Sequence, residues 1–187
     1  MLQKYPFLFQ LGIATIKTST ADLMVQKYIE KKDIDYHRNK VFTIFGFTYL
    51  GCAQYVFYVK WMNKLFPSVQ NFAKQSLRLK LRNPLFLAGL VGQVCFDAFF
   101  LTPFLYFPSF YTLKEYLDSE SNKNTTNLIK NGLTKYKKNF WEDNKNYCML
   151  WLPINLGIYV LPIYLRLPAV HTVSFCWTGI LSYTRGK

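Results

Sequence analysis

Apolar positions along the chain form long runs that are separated by basic segments. The longest run, Pro84 to Leu113, has thirty residues and a single charge, Asp97. An α-helix rises about 1.5 Å per residue, so a helix of this length exceeds the roughly 30 Å hydrocarbon core of a bilayer. Pro103 and Pro108 within the run predict a bend. We therefore predict a membrane-spanning helix over 84–112, around which the rest of the chain is arranged.

Other apolar runs predict further membrane helices. The predicted spans are 6–29, 41–61, 84–112 and 147–165, and the apolar segment 167–184 offers a fifth. A run of about 20 apolar residues is what a transmembrane helix needs. The predicted fold is therefore all-α, a multi-span membrane protein with four to five membrane helices in a single integral membrane domain over 1–187.

The segments between the spans are predicted to lie in water or at the membrane surface. We expect a solvated loop over 30–40 and a second loop over 119–127, followed by a helix. Segment 66–82 repeats apolar residues at helical spacing among basic ones, which predicts one amphipathic helix at the lipid headgroups. Its headgroup candidates are Lys74, Arg78, Lys80 and Arg82.

Small and polar residues within the first predicted span recur on one helical face. Gly12, Thr15, Ser19, Asp22 and Gln26 follow one another at intervals of three or four residues. Membrane helices approach closely through small residues and form hydrogen bonds through polar ones. A packing face is therefore favoured, and a pore-lining face stays open as the alternative.

Asp97 is the residue of the central run that most needs a partner. Gln93 lies one helical turn before it, on the same face. A carboxylate at bilayer depth costs on the order of 3 kcal/mol, so we expect Asp97 to point into the bundle and to meet a polar group of another span. Lys17 and Arg166 are the leading candidates. The alternative is a protonated Asp97 that is bonded to a backbone carbonyl.

The composition favours a membrane protein with basic loops. The 187 residues are 51% hydrophobic and 19% aromatic, with a formal net charge of +13. Basic proteins often bind nucleic acid, but the aromatic residues here sit within apolar runs, where they cannot stack on bases. We expect the partners to be anionic lipid headgroups and other membrane-protein subunits, and we expect no nucleic acid.

Residues that perform covalent chemistry or bind metals are few and scattered. The four cysteines form no CxxC motif, and there are two histidines. The sequence shows no set of nucleophile and base, no phosphate-binding loop and no paired carboxylates. We therefore expect no enzyme activity, no catalytic residue, no cofactor and no metal site.

Several short motifs together resemble one family of organelle membrane proteins. They are Asp22 with Gln26 in the first span, Arg38 before the second, Gly51 and Tyr58 within it, Gln93 in the third, and a closing set of Leu161-Pro162, Arg166, Trp177 and Leu181-Ser182. This pattern is similar to that of the Mpv-seventeen and 22-kilodalton peroxisomal membrane protein family. The resemblance covers about residues 6 to 182.

The chain departs from the family pattern at several polar positions. Cys52 and Tyr55 stand where the family has Pro and His, and Gly92 stands where it has Asp. Gly157-Ile158 replaces Asn-Phe. These departures remove polar groups from the spans, so the resemblance favours a shared fold and location more than a shared transport activity.

The resemblance implies an organelle membrane and leaves two functional hypotheses. It implies a multi-pass protein of the mitochondrial inner membrane, with the peroxisomal membrane as the alternative. The first hypothesis is an accessory or structural subunit of a larger assembly such as a respiratory-chain complex. The second is a weakly selective channel for small solutes, lined by the polar residues of the spans.

Overall fold

In the computed structural model, the chain is described over residues 6–72, 75–119, 125–161 and 163–186. The regular elements there are all helical, which confirms the predicted all-α class. The α-helices are α1 (Pro6–Met24), α2 (Tyr36–Phe45), α3 (Met62–Leu65), α4 (Pro67–Asn71), α5 (Leu77–Arg82), α6 (Pro84–Phe96), α7 (Phe107–Asp118), α8 (Thr125–Val160) and α9 (Ile163–Arg185). Wider π-helical segments lie at Val25–Ile29, Gly46–Ala53, Val56–Trp61 and Asp97–Tyr106.

The second helix begins five residues earlier than predicted. Asp35 caps α2 by accepting a hydrogen bond from the backbone N of Arg38 at 3.0 Å, which satisfies an amide that has no partner within the helix. The prediction of a solvated loop over 30–40 is therefore wrong from Tyr36 onward. Arg38 is only 8% exposed, because its charge has partners inside the protein.

The predicted amphipathic helix over 66–82 is wrong as one continuous element. The structure has two short helices there, α4 and α5, and Gln75 and Ser76 lie outside both. Arg78 and Arg82 are exposed, as headgroup contacts require. Lys80 is 1% exposed and is therefore not a headgroup residue. Lys74 lies outside the described residues.

The central helix runs without interruption from Pro84 to Asp118. Asn83 caps it by accepting hydrogen bonds from the backbone N of Leu85 and Phe86, and Pro84 occupies the first turn, where no amide hydrogen is needed. Among the described residues, this 35-residue helix is the one long and apolar enough to cross a membrane. The predicted central span agrees with it, and the number of further spans stays a prediction.

The polar connection predicted after the central span is largely helical. The central helix continues to Asp118, and α8 already begins at Thr125, inside the loop predicted over 119–127. α8 then covers the predicted fourth span only up to Val160, five residues before its predicted end, and α9 follows as a separate helix. Helices commonly end just before a proline, and Pro162 is two residues further on. The predicted fourth span 147–165 is therefore wrong as one continuous helix, because its last residues belong to α9, whereas segment 167–184 lies wholly within α9.

One compact unit contains the residues up to Lys60 together with those from Leu167 onward. Within it, α1 packs along the segment Gly46–Ala53. A Cβ atom on Gly46 would lie 2.9 Å from Thr18 Cβ, and one on Gly51 would lie 2.6 Å from Leu11 Cδ1. These glycines let the two helices approach closely.

The other compact unit contains residues Trp61 to Arg166. α4 packs on α6 around Val69, Phe86, Leu90 and Val94, and α7 packs on α8. Aromatic rings fill the second contact, where the centroids of Phe107 and Tyr136 are 5.7 Å apart. The single membrane domain predicted over 1–187 stays a prediction.

Candidate functional site

Asp22 and Arg38 form a buried ion pair in the unit that contains α1, α2 and α9. Arg38 Nε lies 2.9 Å from Asp22 Oδ1, and the two side chains are 8% and 0% exposed. Burying two charges costs several kcal/mol for each ion unless their remaining hydrogen-bonding groups are satisfied. The surrounding residues must therefore supply further partners.

Four donors surround the Asp22 carboxylate. Oδ1 accepts from Arg38 Nε and from the Ser182 hydroxyl, the latter at 2.7 Å. Oδ2 accepts from Gln26 Nε2 at 2.8 Å and from Asn39 Nδ2 at 3.0 Å. A carboxylate has about four lone-pair positions. Asp22 is therefore fully satisfied as an ionised group.

The guanidinium of Arg38 reaches two further residues. Nη1 donates to both carboxylate oxygens of Glu30 at 3.1 and 3.0 Å. Nη2 donates to the Ser182 hydroxyl at 2.7 Å and to its carbonyl at 2.9 Å. The planar fork of arginine suits such multiple bonding, which lysine cannot reproduce. Arg38 therefore links α1, the segment after it, and the end of α9.

An outer set of hydrogen bonds holds this network in place. Gln26 accepts from the backbone N of Asp35 at 2.5 Å and donates to its carbonyl at 3.2 Å. Asn39 donates to the carbonyl of Ser19 at 2.9 Å and accepts from its hydroxyl at 2.9 Å. The polar face of α1 is therefore used for packing at Ser19, Asp22 and Gln26, in line with the favoured alternative.

The network unites residues that the family resemblance had named separately. Asp22 and Gln26, Arg38, and Ser182 come from three different motifs and meet at one point. Four further members were not predicted from the sequence: Glu30, Asp35, Asn39 and Gly186, whose backbone N donates to the Ser182 carbonyl at 2.8 Å. Asp35 had a usable signal, because an acidic residue just before a helical pattern is a typical N-cap.

Lys17 forms a hydrogen bond to α9, and its pairing with Asp97, which belongs to the other unit, stays a prediction. Its Nζ donates to the Ser174 hydroxyl at 2.5 Å. His171 lies one turn before Ser174 on the same face, and its two ring nitrogens are buried without a hydrogen-bond partner among the described residues. Lys17, His171 and Ser174 thus form a second polar cluster, which we call the lysine–histidine cluster.

Asp97 is 4% exposed and meets another helix, as predicted, where two neutral side chains lie against it. Tyr147 Oη donates to Asp97 Oδ2 at 2.8 Å, and Asn155 Nδ2 lies 3.4 Å from the same oxygen. Both partners come from α8. Both side chains can donate to an ionised carboxylate, and a protonated Asp97 stays the alternative.

A third set of polar contacts joins α7 to the first half of α8. Tyr111 donates to Asp143 Oδ2 at 2.7 Å, and Lys135 pairs with Glu115. Tyr136 accepts a hydrogen bond from Asn144 at 3.0 Å. Burial raises the pKa of Tyr136, the Asn144 hydrogen bond lowers it, and the negative charge of Asp143 raises it. The Tyr136 hydroxyl therefore stays neutral at physiological pH.

The remaining predicted site residues fall into two groups. Gln93, Trp177 and Leu181 are buried, at 5%, 5% and 3% exposed. Pro162 lies outside the described residues, as do the side chains of Tyr58 and Arg166. Arg166 therefore stays a prediction as a partner of Asp97.

Comparisons with known proteins give one distant relative. No family model matches the chain. Protein SYM1 of Candida albicans is 26% identical over 159 residues, which cover 83% of this chain and 73% of that protein. No solved structure matches. The relative fits the family that the motifs resemble, and the similarity favours an organelle membrane protein of that kind.

Proposed function

We propose that this chain is a noncatalytic, multi-pass protein of the mitochondrial inner membrane that serves as an accessory subunit of a larger assembly, such as a respiratory-chain complex. The distant similarity to Protein SYM1 supports an organelle membrane. The mitochondrial inner membrane, the multi-pass topology and the subunit role are our proposals beyond that similarity.

The surface of the central helix supports insertion into lipid. Val91, Phe99, Phe100 and Phe104 are 51%, 59%, 50% and 63% exposed. Water would penalise so many exposed apolar side chains on one helix, whereas lipid tails would cover them. The charged residue in the middle of this helix, Asp97, is buried and bonds to Tyr147, as a membrane helix requires.

The observation that carries the subunit role is an uncovered face on the first half of α8. Ile129, Leu133 and Trp141 are 44%, 43% and 82% exposed and lie at helical intervals of four and eight residues. Exposed Lys130, Lys137, Lys138 and Lys145 accompany them. Trp is enriched at the energetic centres of protein interfaces. The face therefore suits an acidic protein surface with an apolar pocket.

The bonding of the interior polar groups also supports a noncatalytic role. Asp22 uses four donors of its own chain, and Arg38 bonds Asp22, Glu30 and Ser182. Groups engaged in this way hold helices together and are not free to act on a substrate. This agrees with the packing interpretation of the polar face on α1.

Blue-native electrophoresis of gently solubilised mitochondria tests the subunit role. We expect the wild-type chain to migrate with one large complex and Trp141→Ala to move most of it to a smaller species. Tyr36→Ala is the control, because Tyr36 is 76% exposed but lies in the other unit. Migration of the wild-type chain only as a small species would contradict the proposal.

The lysine–histidine cluster favours a second candidate, the small-solute channel. An ammonium group and an imidazole with two unpartnered buried nitrogens are suitable groups for a passing anion. If the purified chain alone conducts ions in a planar bilayer, and Lys17→Gln changes the anion-to-cation permeability ratio, the channel takes precedence. Cys176→Ser, an exposed position of α9, is the matched control.

A further inference from the structure

A basic cleft lies just beyond the end of α1. Lys27, Lys31, Lys32 and Asp33 line it, and its volume is about 670 Å³. All four side chains are exposed. Three cationic groups and one anionic group give the lining a net charge of +2. This is enough to attract an anion despite the partial negative charge that a helix carries at its C-terminal end.

The backbone beneath the cleft is held by hydrogen bonds to the preceding helix. Lys32 N donates to Gln26 O at 3.1 Å, and Glu30 N donates to Val25 O at 2.9 Å. Lys31 has a φ angle of 52°, in the left-handed region that few residues other than glycine adopt. Such strain persists only where the surroundings enforce it, and it is enriched at binding sites. Lys31 and Lys32 therefore lie on a fixed turn, and Lys27 lies on the helical segment that precedes it.

A second acidic residue near these lysines in the sequence, Glu30, is bonded to Arg38 and does not line the cleft. Both oxygens of Glu30 accept from Arg38 Nη1, and the Glu30 side chain is 3% exposed. A free Glu30 would neutralise one of the neighbouring lysines. Because Arg38 engages it instead, the buried network keeps the cleft cationic.

Two exposed residues that follow Lys27 in the sequence indicate the kind of anion. Tyr28 and Ile29 are 73% and 61% exposed, directly after Lys27. Tyrosine is enriched at membrane interfaces, and lysine keeps its charge at the headgroups while its aliphatic stem contacts lipid. An exposed apolar side chain such as Ile29 offers a contact to the acyl chain of a phospholipid, which a soluble phosphate lacks.

We propose that the cleft binds a phosphate-bearing anion and that this anion is the headgroup of an anionic phospholipid. The inference rests on the proposed membrane location but not on the choice between subunit and channel. It assigns lysines that are distinct from the predicted headgroup candidates of segment 66–82.

Native mass spectrometry of the full, delipidated chain tests the site. The probes are cardiolipin, phosphatidylglycerol, phosphatidylcholine and inorganic phosphate. The test variant carries Lys27→Gln, Lys31→Gln and Lys32→Gln. The matched control carries Lys130→Gln, Lys137→Gln and Lys138→Gln, which removes three exposed lysines from α8. Asp33→Asn is a third variant, which removes the negative charge from the cleft.

We expect the affinity for anionic lipid to fall in the cleft variant and to rise in Asp33→Asn. The cleft variant should lose roughly fivefold in affinity per lysine, on the order of 100-fold in all, and the control much less. Asp33→Asn should bind several-fold more tightly, a gain that misfolding cannot produce. Equal affinities for the cleft and control variants would overturn the site, and displacement of the lipid by millimolar inorganic phosphate would overturn the headgroup assignment.

Failure of this inference is distinguishable from failure of the proposed location. If the wild-type chain does not incorporate into lipid nanodiscs, the membrane location fails for every variant alike. If all forms incorporate and the cleft variant retains cardiolipin as well as the control, only the cleft is refuted.

Discussion

Arg38 shows how one buried side chain determines the local arrangement of three segments. It neutralises Asp22 and Glu30, which lie about two helical turns apart, and it also bonds to Ser182 of α9. Arg38, whose guanidinium is fully hydrogen-bonded, stabilises the fold mainly because its removal would leave two buried carboxylates without a cation.

Arg38→Met should destabilise the unit strongly. Loss of one partner of a buried pair typically costs about 3 to 5 kcal/mol. For a chain of this length we expect the melting temperature of the detergent-solubilised protein to fall by about 10 °C. Lys40→Met is the control, because Lys40 is exposed on the same helix. Equal melting temperatures for the two variants would show that the pair contributes little.

Gly186→Ala should also be destabilising. A Cβ atom there would lie 2.3 Å from the Ser182 carbonyl oxygen and 2.4 Å from Arg38 Nε, so the backbone or the guanidinium would have to move. Overpacking of this kind costs about 1 to 3 kcal/mol. Gly157→Ala, where a Cβ would meet nothing within 4 Å, should be neutral or stabilising in the same thermal melts. If Gly157→Ala lowered the melting temperature more than Gly186→Ala, the close contact between residue 186 and Arg38 would be refuted.

At the scale of elements, the apolar runs predicted where helices lie but not at which residues they begin and end. Lys114, Glu115 and Leu117 follow the apolar run and are good helix formers, so α7 continues to Asp118. The first half of α8 is also rich in lysine, which is a good helix former, and it is helical as well. Charge marks where a helix leaves the hydrocarbon, and caps and prolines mark where it ends. The charged segment before α2 was misjudged for this reason, because its Asp35 is a cap.

Tyr147→Phe should weaken the contact between the central helix and α8. The hydroxyl donates to Asp97 at 2.8 Å, and its removal leaves the carboxylate with one donor fewer. We expect a loss of about 1 to 3 kcal/mol in the free energy of unfolding in mixed micelles. Tyr116→Phe, at a side chain that is 57% exposed, should change it little. In a double-mutant cycle with Asp97→Asn the losses should not add, and strict additivity would contradict the contact.

At the scale of the whole molecule, the all-α fold class was predictable from the sequence, whereas the pairing of polar side chains was not. The long apolar run with its lone acid led directly to the central helix and to a buried Asp97. Its partners could not be deduced, because periodicity shows which face of a helix is polar but not which helix it meets. The resemblance supplied Asp22, Arg38 and Ser182 as separate positions, and only the fold brought them together.

The length of the central helix leads to a prediction about how the chain lies in a membrane. Its 35 residues measure about 50 Å at roughly 1.5 Å per residue, well beyond a hydrocarbon core of about 30 Å. The exposed apolar side chains Phe99 and Phe104 lie in its middle, whereas α7 at its end pairs with the lysine-bearing half of α8. This end should therefore project into water on one side of the membrane.

Cysteine labelling checks this arrangement in a background from which Cys52, Cys95, Cys148 and Cys176 have been removed. A membrane-impermeant maleimide should label Lys137→Cys from one side of sealed vesicles only, and should not label Phe99→Cys until detergent is added. Both positions are exposed on the protein surface. A difference in labelling rate is therefore caused by lipid that covers Phe99→Cys and not by burial within the protein. If Phe99→Cys reacts in intact vesicles as fast as Lys137→Cys, the central helix lies in water, and neither the subunit proposal nor the phospholipid cleft can stand.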